Sequence, residues 1–156
     1  MVRIISRALL TLFLLTSSTA WASTITAKHS GKVLDVPGWN PGLGVQIIQW
    51  TANWGPNQYF DVNDEGSGYY TIFNPMTRQC LDAAFDSRGN GTPIVQWWCH
   101  KHDNQLWRLD RGSDGYVRFI NKHSGKCMTV AGGSRDDGAG LIQWDCSNLD
   151  EQRFRF

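Results

Sequence analysis

Apolar and polar positions alternate along this chain only over short runs. Residues 23–27 (STITA), 69–73 (YYTIF) and 116–120 (YVRFI) are rich in β-branched and aromatic side chains, and Gly, Asn, Asp and Pro interrupt the stretches between them. No stretch sustains the 3.6-residue apolar period of an amphipathic helix. The pattern predicts an all-β chain of many short strands separated by turns.

The same pattern recurs. Sliding the chain along itself by 47 residues brings Gln49-Trp50, Gln96-Trp97 and Gln143-Trp144 into register. Gln58, Gln105 and Gln152 coincide too, each followed two residues later by an aromatic: Phe60, Trp107 and Phe154. Leu34, Leu81 and Met128 match, as do Val36, Ala83 and Val130, and Gly68-Tyr69 matches Gly115-Tyr116. The register runs from about residue 23 to 156 without insertion or deletion, giving repeats of about 23–62, 63–109 and 110–156. Each repeat reads as about four short strands, so about twelve are expected. A unit of this size cannot bury its own apolar face and must close with its copies around a common axis. Propellers need at least four blades. Three copies of four strands fit a pseudo-threefold β-trefoil.

One apolar run lies outside this frame. Arg3 and Arg7 precede residues 8–15 (ALLTLFLL), and Ala20-Trp21-Ala22 follows as a small-x-small cleavage site. Eight apolar residues are too few to span a bilayer, so residues 1–22 are expected to be a secretory signal. Its removal leaves 134 of 156 residues, enough for one domain with a real core. It also reduces the 15 Lys and Arg to 13 against 14 Asp and Glu, a net charge of −1. That balance argues against nucleic acid or an anionic membrane as the main partner. In an exported chain, the four cysteines permit disulfides in three pairings.

The motifs QYF, QLW and QRF, with LDV (34–36) or LDA (81–83) upstream and QWWC or QWDC between, resemble the ricin B-type lectins and the related β-trefoil carbohydrate-binding modules of glycosidases. The likeness covers essentially the whole chain after residue 22. It implies a non-catalytic protein whose partners are glycans and which needs no cofactor.

Cys80 and Cys127 are one repeat apart, as are Cys99 and Cys146, and the first repeat has Val33 and Ala52 at these positions. Cysteines therefore occur together or not at all within a repeat, which favours Cys80–Cys99 and Cys127–Cys146 over the other pairings. If Cys80 faces Cys99 across antiparallel strands, Asp82 faces Trp97. By the repeat, Asp35 then faces Trp50, with acid and indole side by side on the outer surface and Leu81 and Ala83 turned into the core.

Such a pair suits a sugar. A pyranose with an axial hydroxyl presents one C–H face to an aromatic ring and donates from vicinal hydroxyls to a carboxylate. The resemblance implies that the site also uses an Asn before the second Gln. The second repeat then offers Asp82, Trp97 and Asn104, with His100 matching a contact of the glycosidase modules. The first offers Asp35, Trp50 and Asn57, with Asn53 at the His100 position. Gln105 and Gln58 are expected to satisfy buried backbone groups and to orient the neighbouring Asp. The third repeat keeps Trp144 and Gln152 but has Thr129 for the Asp and Glu151 for the Asn, so its site is expected to be weak or silent. Phe60, Trp107 and Phe154 are assigned to the core. Trp39, Trp54 and Trp98 either extend a binding surface or cover loops.

Rival chemistries for residues 93–107 (PIVQWWCHKHDNQLW) are less well supplied. With Cys99 in a disulfide, His100 and His102 leave too few ligands for structural zinc, and a Cys–His nucleophile has no thiolate. His29 and His123 hold equivalent positions and read as turn residues. An enzyme would need a cleft with paired carboxylates or a nucleophile and base, whereas the repeat spreads similar chemistry over three surfaces. A receptor-binding subunit of a secreted multi-chain toxin, with the enzyme on a partner chain, is the alternative. It would show an exposed aromatic patch. Asn90-Gly91-Thr92 matches a glycosylation sequon. Discrimination among sugars falls to the loops 38–44, 86–91 and 133–138.

Overall fold

Each repeat folds into four short strands, as the turn spacing requires. In the computed structural model, which describes residues 22–156, the first repeat forms β1 (Thr26–Ala27), β2 (Val33–Asp35), β3 (Ile48–Trp50) and β4 (Asp61–Asp64). The second forms β5 (Tyr69–Asn74), β6 (Gln79–Ala83), β7 (Ile94–Trp97) and β8 (Trp107–Arg111). The third forms β9 (Val117–Asn121), β10 (Cys127–Val130), β11 (Leu141–Trp144) and β12 (Phe154–Arg155). The expected signal segment lies outside the described residues except for Ala22.

First and fourth strands build a barrel. Antiparallel pairs β4–β5, β8–β9 and β1–β12 join neighbouring repeats, while β5–β8 and β9–β12 close repeats internally. In the first repeat a two-bond bridge between Ser23 and Phe60 does the same. Second and third strands form the hairpins β2–β3, β6–β7 and β10–β11. These meet around the axis, where Ile47 N–H donates to the Ile94 carbonyl at 2.9 Å and Leu141 N–H to the Ile47 carbonyl at 2.8 Å. The result is a β-trefoil. Its core is filled in equivalent triplets, Phe60, Trp107 and Phe154 together with Leu34, Leu81 and Met128, all fully buried. Burial of each is worth about 1.5–3 kcal/mol.

Polar side chains lock the repeats together. Gln96 Nε2 donates to the carbonyls of Asn40 and Gly42 in the preceding repeat, Gln143 Nε2 to those of Ser87 and Gly89, and Gln49 Nε2 to those of Ser134 and Asp136. This accounts for the first glutamine of the repeat signature. The hydroxyls of Ser30 and Ser124 donate to Gln49 and Gln143, but Thr77 at the matching position turns to Asn74, and Gln96 Oε1 has no partner. Gln143→Ala is expected to lower the unfolding free energy by about 2 kcal/mol. Gln96→Ala should cost less, because it removes an orphaned acceptor as well. Urea denaturation of the two variants checks the order.

The disulfides Cys80–Cys99 and Cys127–Cys146 both form, and there are no free cysteines. Each closes a loop with a sequence separation of 19, worth roughly 3 kcal/mol through the unfolded chain. Among the described residues no helix is long and apolar enough to cross a membrane.

Candidate functional site

The strand register departs from the sequence expectation. Asp82 pairs with Val95, and Trp97 pairs with Cys80; likewise Asp35 pairs with Ile48, and Trp50 with Val33. Asp82 therefore does not face Trp97, nor Asp35 Trp50. The cause lies at Cys99, which falls beyond the end of β7 at Trp97, where the chain has left the ladder. The disulfide bridges a strand to a departing loop rather than two rungs, with its Cα atoms 5.1 Å apart. The offset is two residues, and an even slip preserves the face. Aspartate and tryptophan remain on the same side as diagonal neighbours, with an apolar floor between them supplied by Val95 or Ile48.

Exposure differs from the sequence expectation as well. Asp82 and Asp35 are each 4% exposed, not open on the surface, whereas Trp97 and Trp50 are 37% and 41% exposed. Around the carboxylates, a turn of 3-10 helix in each of these two repeats supplies an Asn-Gln pair: Pro56–Gln58 in the first and Asp103–Gln105 in the second. Asn104 Nδ2 donates to Asp82 at 2.9 Å, and Gln105 Nε2 to its other oxygen at 2.9 Å. Asn57 and Gln58 hold Asp35 too, but both donate to one of its oxygens, at 2.9 and 2.8 Å. Both glutamines also tie down backbone. Gln105 accepts from the N–H of His100 and donates to the Trp98 carbonyl, and Gln58 accepts from Asn53 and donates to the Thr51 carbonyl.

Asn53 and His100 do occupy matching places. Each accepts from the backbone N–H two residues on, Gly55 and His102 respectively. With Nδ1 engaged, His100 carries its ring proton on Nε2, which stands 3.4 Å from the Asp82 carboxylate. Only the second site has this third donor. Gly55 allows the first site to close: a Cβ there would lie 2.5 Å from Asn57 Oδ1 and 3.2 Å from the Trp39 ring.

Burial pushes both carboxyls above their ordinary range, and the amide donors, with His100 at Asp82, pull them back only in part. A carboxylate desolvated by its surroundings yet open on one side to a cleft is primed to accept hydroxyl donors. The second site is a cavity of about 280 Å³ bounded by Asp82, Val95, Trp97, His100 and Asn104, with Gly44 of the first repeat and Phe85 at its margin. The first, about 270 Å³, is bounded by Asp35, Ile48, Trp50, Asn53 and Asn57, with Trp39 beside them.

The third site keeps its floor, Ile142, and its wall, Trp144. Its polar corner is rebuilt. Gln152 Nε2 donates to Thr129 Oγ1 at 3.0 Å, and that hydroxyl is itself given to the Cys127 carbonyl at 2.9 Å. The threonine has no acceptor capacity like a carboxylate's, and Glu151 lies over Gly133 instead.

Phe85, Ile48 and Val95 were not legible as site residues. Phe85 could have been found from the repeat alone, since Gly38 and Gly132 stand at its equivalent positions. Trp39 joins the first site, whereas Trp54 and Trp98 project outward, 74% and 66% exposed. Among the described residues no group of three His, Cys, Asp or Glu side chains comes together as a metal site.

A family model for the ricin-type β-trefoil lectin domain matches residues 21–154. The chain belongs to that family of carbohydrate-binding domains. Among solved structures it is similar to a designed threefold-symmetric protein, ThreeFoil, at 36% identity and a TM-score of 0.83, over 85% of this chain and 94% of that one. It is also similar to 1,3Gal43A, an exo-β-1,3-galactanase from Clostridium thermocellum, at 31% identity and a TM-score of 0.83, covering 86% of this chain but 29% of that one. The Macrolepiota procera ricin B-like lectin, solved with lactose, shares the fold at 20% identity and a TM-score of 0.75, over 88% and 95%. No curated protein matches the chain.

Proposed function

We propose that the protein is a secreted, non-catalytic lectin that binds galactose-type or xylose-type glycans through its first and second repeats. The observation that carries this reading is the buried carboxylate held by two amide donors beside a half-exposed tryptophan, built twice at equivalent positions. Trp97 and Trp50 supply stacking, Asp82 and Asp35 accept from hydroxyls, and Asn104 and Asn57 orient the acid. The two disulfides suit an oxidising compartment. The galactanase and the lactose-bound lectin named above support a galactose-type ligand. One shallow site of this kind binds at about millimolar Kd, or about −4 kcal/mol. Two on one rigid domain raise the apparent affinity for a multivalent glycan by roughly a hundredfold.

A glycan array of the protein lacking residues 1–22, with and without EDTA, tests the reading. Binding to terminal galactose or xylan that EDTA leaves unchanged is expected. Failure of disulfide-bonded protein to bind any glycan sinks it. A second reading, a receptor-binding subunit for an enzymatic partner chain, draws on Trp54 and Trp98, which are exposed and unmatched in the other repeats, where Lys101 and Asn148, and Thr51 and Asp145, stand. Sugar binding with no protein partner on co-purification counts against it.

A further inference from the structure

One residue at the second site is out of keeping with stability. Phe85 sits in the left-handed region, at φ 61° and ψ 20°, and the residue is 91% exposed. The equivalent residues are Gly38 at φ 60° and Gly132 at φ 62°, so the fold calls for this backbone conformation in every repeat and glycine meets it without strain. A phenylalanine here costs both backbone strain and apolar exposure. Strain alone decides little, since Arg78 also replaces the turn glycines Gly31 and Gly125 in left-handed backbone. What distinguishes Phe85 is that a fully projecting apolar ring lines the same cavity as Asp82, Asn104 and Trp97. The glycines at 38 and 132 have open space where a Cβ would stand, so nothing in the core demands a side chain.

We propose that Phe85 is a specificity-determining residue of the second site, forming a platform for the sugar that follows the one held at Asp82 and Trp97, so that this site selects glycans of two or more residues. The inference rests on the lectin reading. The first residue is fixed by the carboxylate and the indole, which lie on the strands β6 and β7. Phe85 lies on the turn that leaves β6, and it lines the same cavity without belonging to either strand. A sugar's C–H face covers the exposed ring and recovers the apolar burial that the free protein forgoes. The first site has no counterpart at Gly38 and carries its aromatic one residue later, at Trp39, packed against Gly55. The third has Gly132 and Gly133 on this turn and no aromatic beside them there. The three repeats thus differ on this turn.

The test uses Trp50→Ala protein, in which the first site is silenced, titrated by NMR with galactose, lactose, xylose and xylobiose. Phe85→Gly is then introduced, the residue the other repeats use, so folding is preserved and the melting temperature should hold or rise. The expected result is a disaccharide Kd weakened about tenfold, the size of one aromatic contact, with the monosaccharide Kd changed less than about twofold. Equal weakening of both, or of neither, overturns the proposal. If Trp50→Ala protein binds none of the four sugars, the second-site lectin reading itself fails, and this is evident before Phe85 is touched.

Discussion

Asp82→Ala should weaken glycan binding at the second repeat at least about a hundredfold while leaving the unfolding free energy within about 1 kcal/mol of the parent. Loss of binding follows from removing the only group that accepts from the sugar at that position. The small effect on folding follows from what the donors do without it. Asn104 Nδ2 also donates to the Ala83 carbonyl at 3.3 Å, and Gln105 Nε2 to the Trp98 carbonyl at 2.7 Å, so neither amide is orphaned. An ionised carboxylate also leaves a desolvated place, which relieves a cost. Titration of the variant with the array's best ligand, alongside urea denaturation, checks both halves. Binding retained at parental strength, or collapse of the fold, would each contradict the assignment.

The pH dependence separates function from folding at the same residue. Burial raises the folded Asp82 carboxyl above its unfolded value, so the native state takes up the proton first on acidification. Its contribution to stability is therefore fully present below the unfolded value, near 3.9, and is lost as pH rises through the folded one. Sugar binding runs the other way, because the protonated acid can no longer accept from the hydroxyls, from Asn104 and from Gln105 together. Acidification from neutrality should abolish binding above the ordinary carboxylate range, while the protein stays folded. Isothermal titration between pH 7 and pH 4, with circular dichroism on the same samples, reads the two trends.

How much of this was legible beforehand depends on which physical scale is asked. The 47-residue repeat carries the threefold fold, because equivalent apolar residues such as Phe60, Trp107 and Phe154 must fill one core by symmetry. The cysteine spacing carries the disulfides for the same reason. The rung-by-rung register was not carried. The spacing makes Cys80–Cys99 read as a cross-strand pair, and nothing in the letters marks Trp97 as the last residue of its strand. The error of two residues spared the site because side-chain direction repeats every two. Exposure is hidden for a related reason: sequence gives the face a carboxylate occupies but not the cover that Asn104 and Gln105 place over it. Phe85 escaped notice because a lone aromatic in a turn is unremarkable until its backbone angle is known.

The third repeat offers the strongest gain. Thr129→Asp together with Glu151→Asn should create a working third site of about millimolar Kd, raising the stoichiometry for a monosaccharide from two to three. The double substitution restores both partners at the positions held by Asp82 and Asn104. Gln152 already donates to residue 129 and fixes the new carboxylate as Gln105 fixes Asp82. Floor and wall are in place as Ile142 and Trp144, the latter 46% exposed. Neither single change should suffice. Thr129→Asp alone sets a second carboxylate beside Glu151 in a partly desolvated corner, where like charges hold one of them protonated. Glu151→Asn alone supplies a donor with no acid to orient. The two should therefore be strongly non-additive, with a coupling of about 2 kcal/mol in binding. With Gly132 and Gly133 at its margin, the new site should bind lactose no better than galactose. Binding by Thr129→Asp alone as strong as by the pair would show that the asparagine is not needed to present the acid, and would remove Asn104 and Asn57 from the working site.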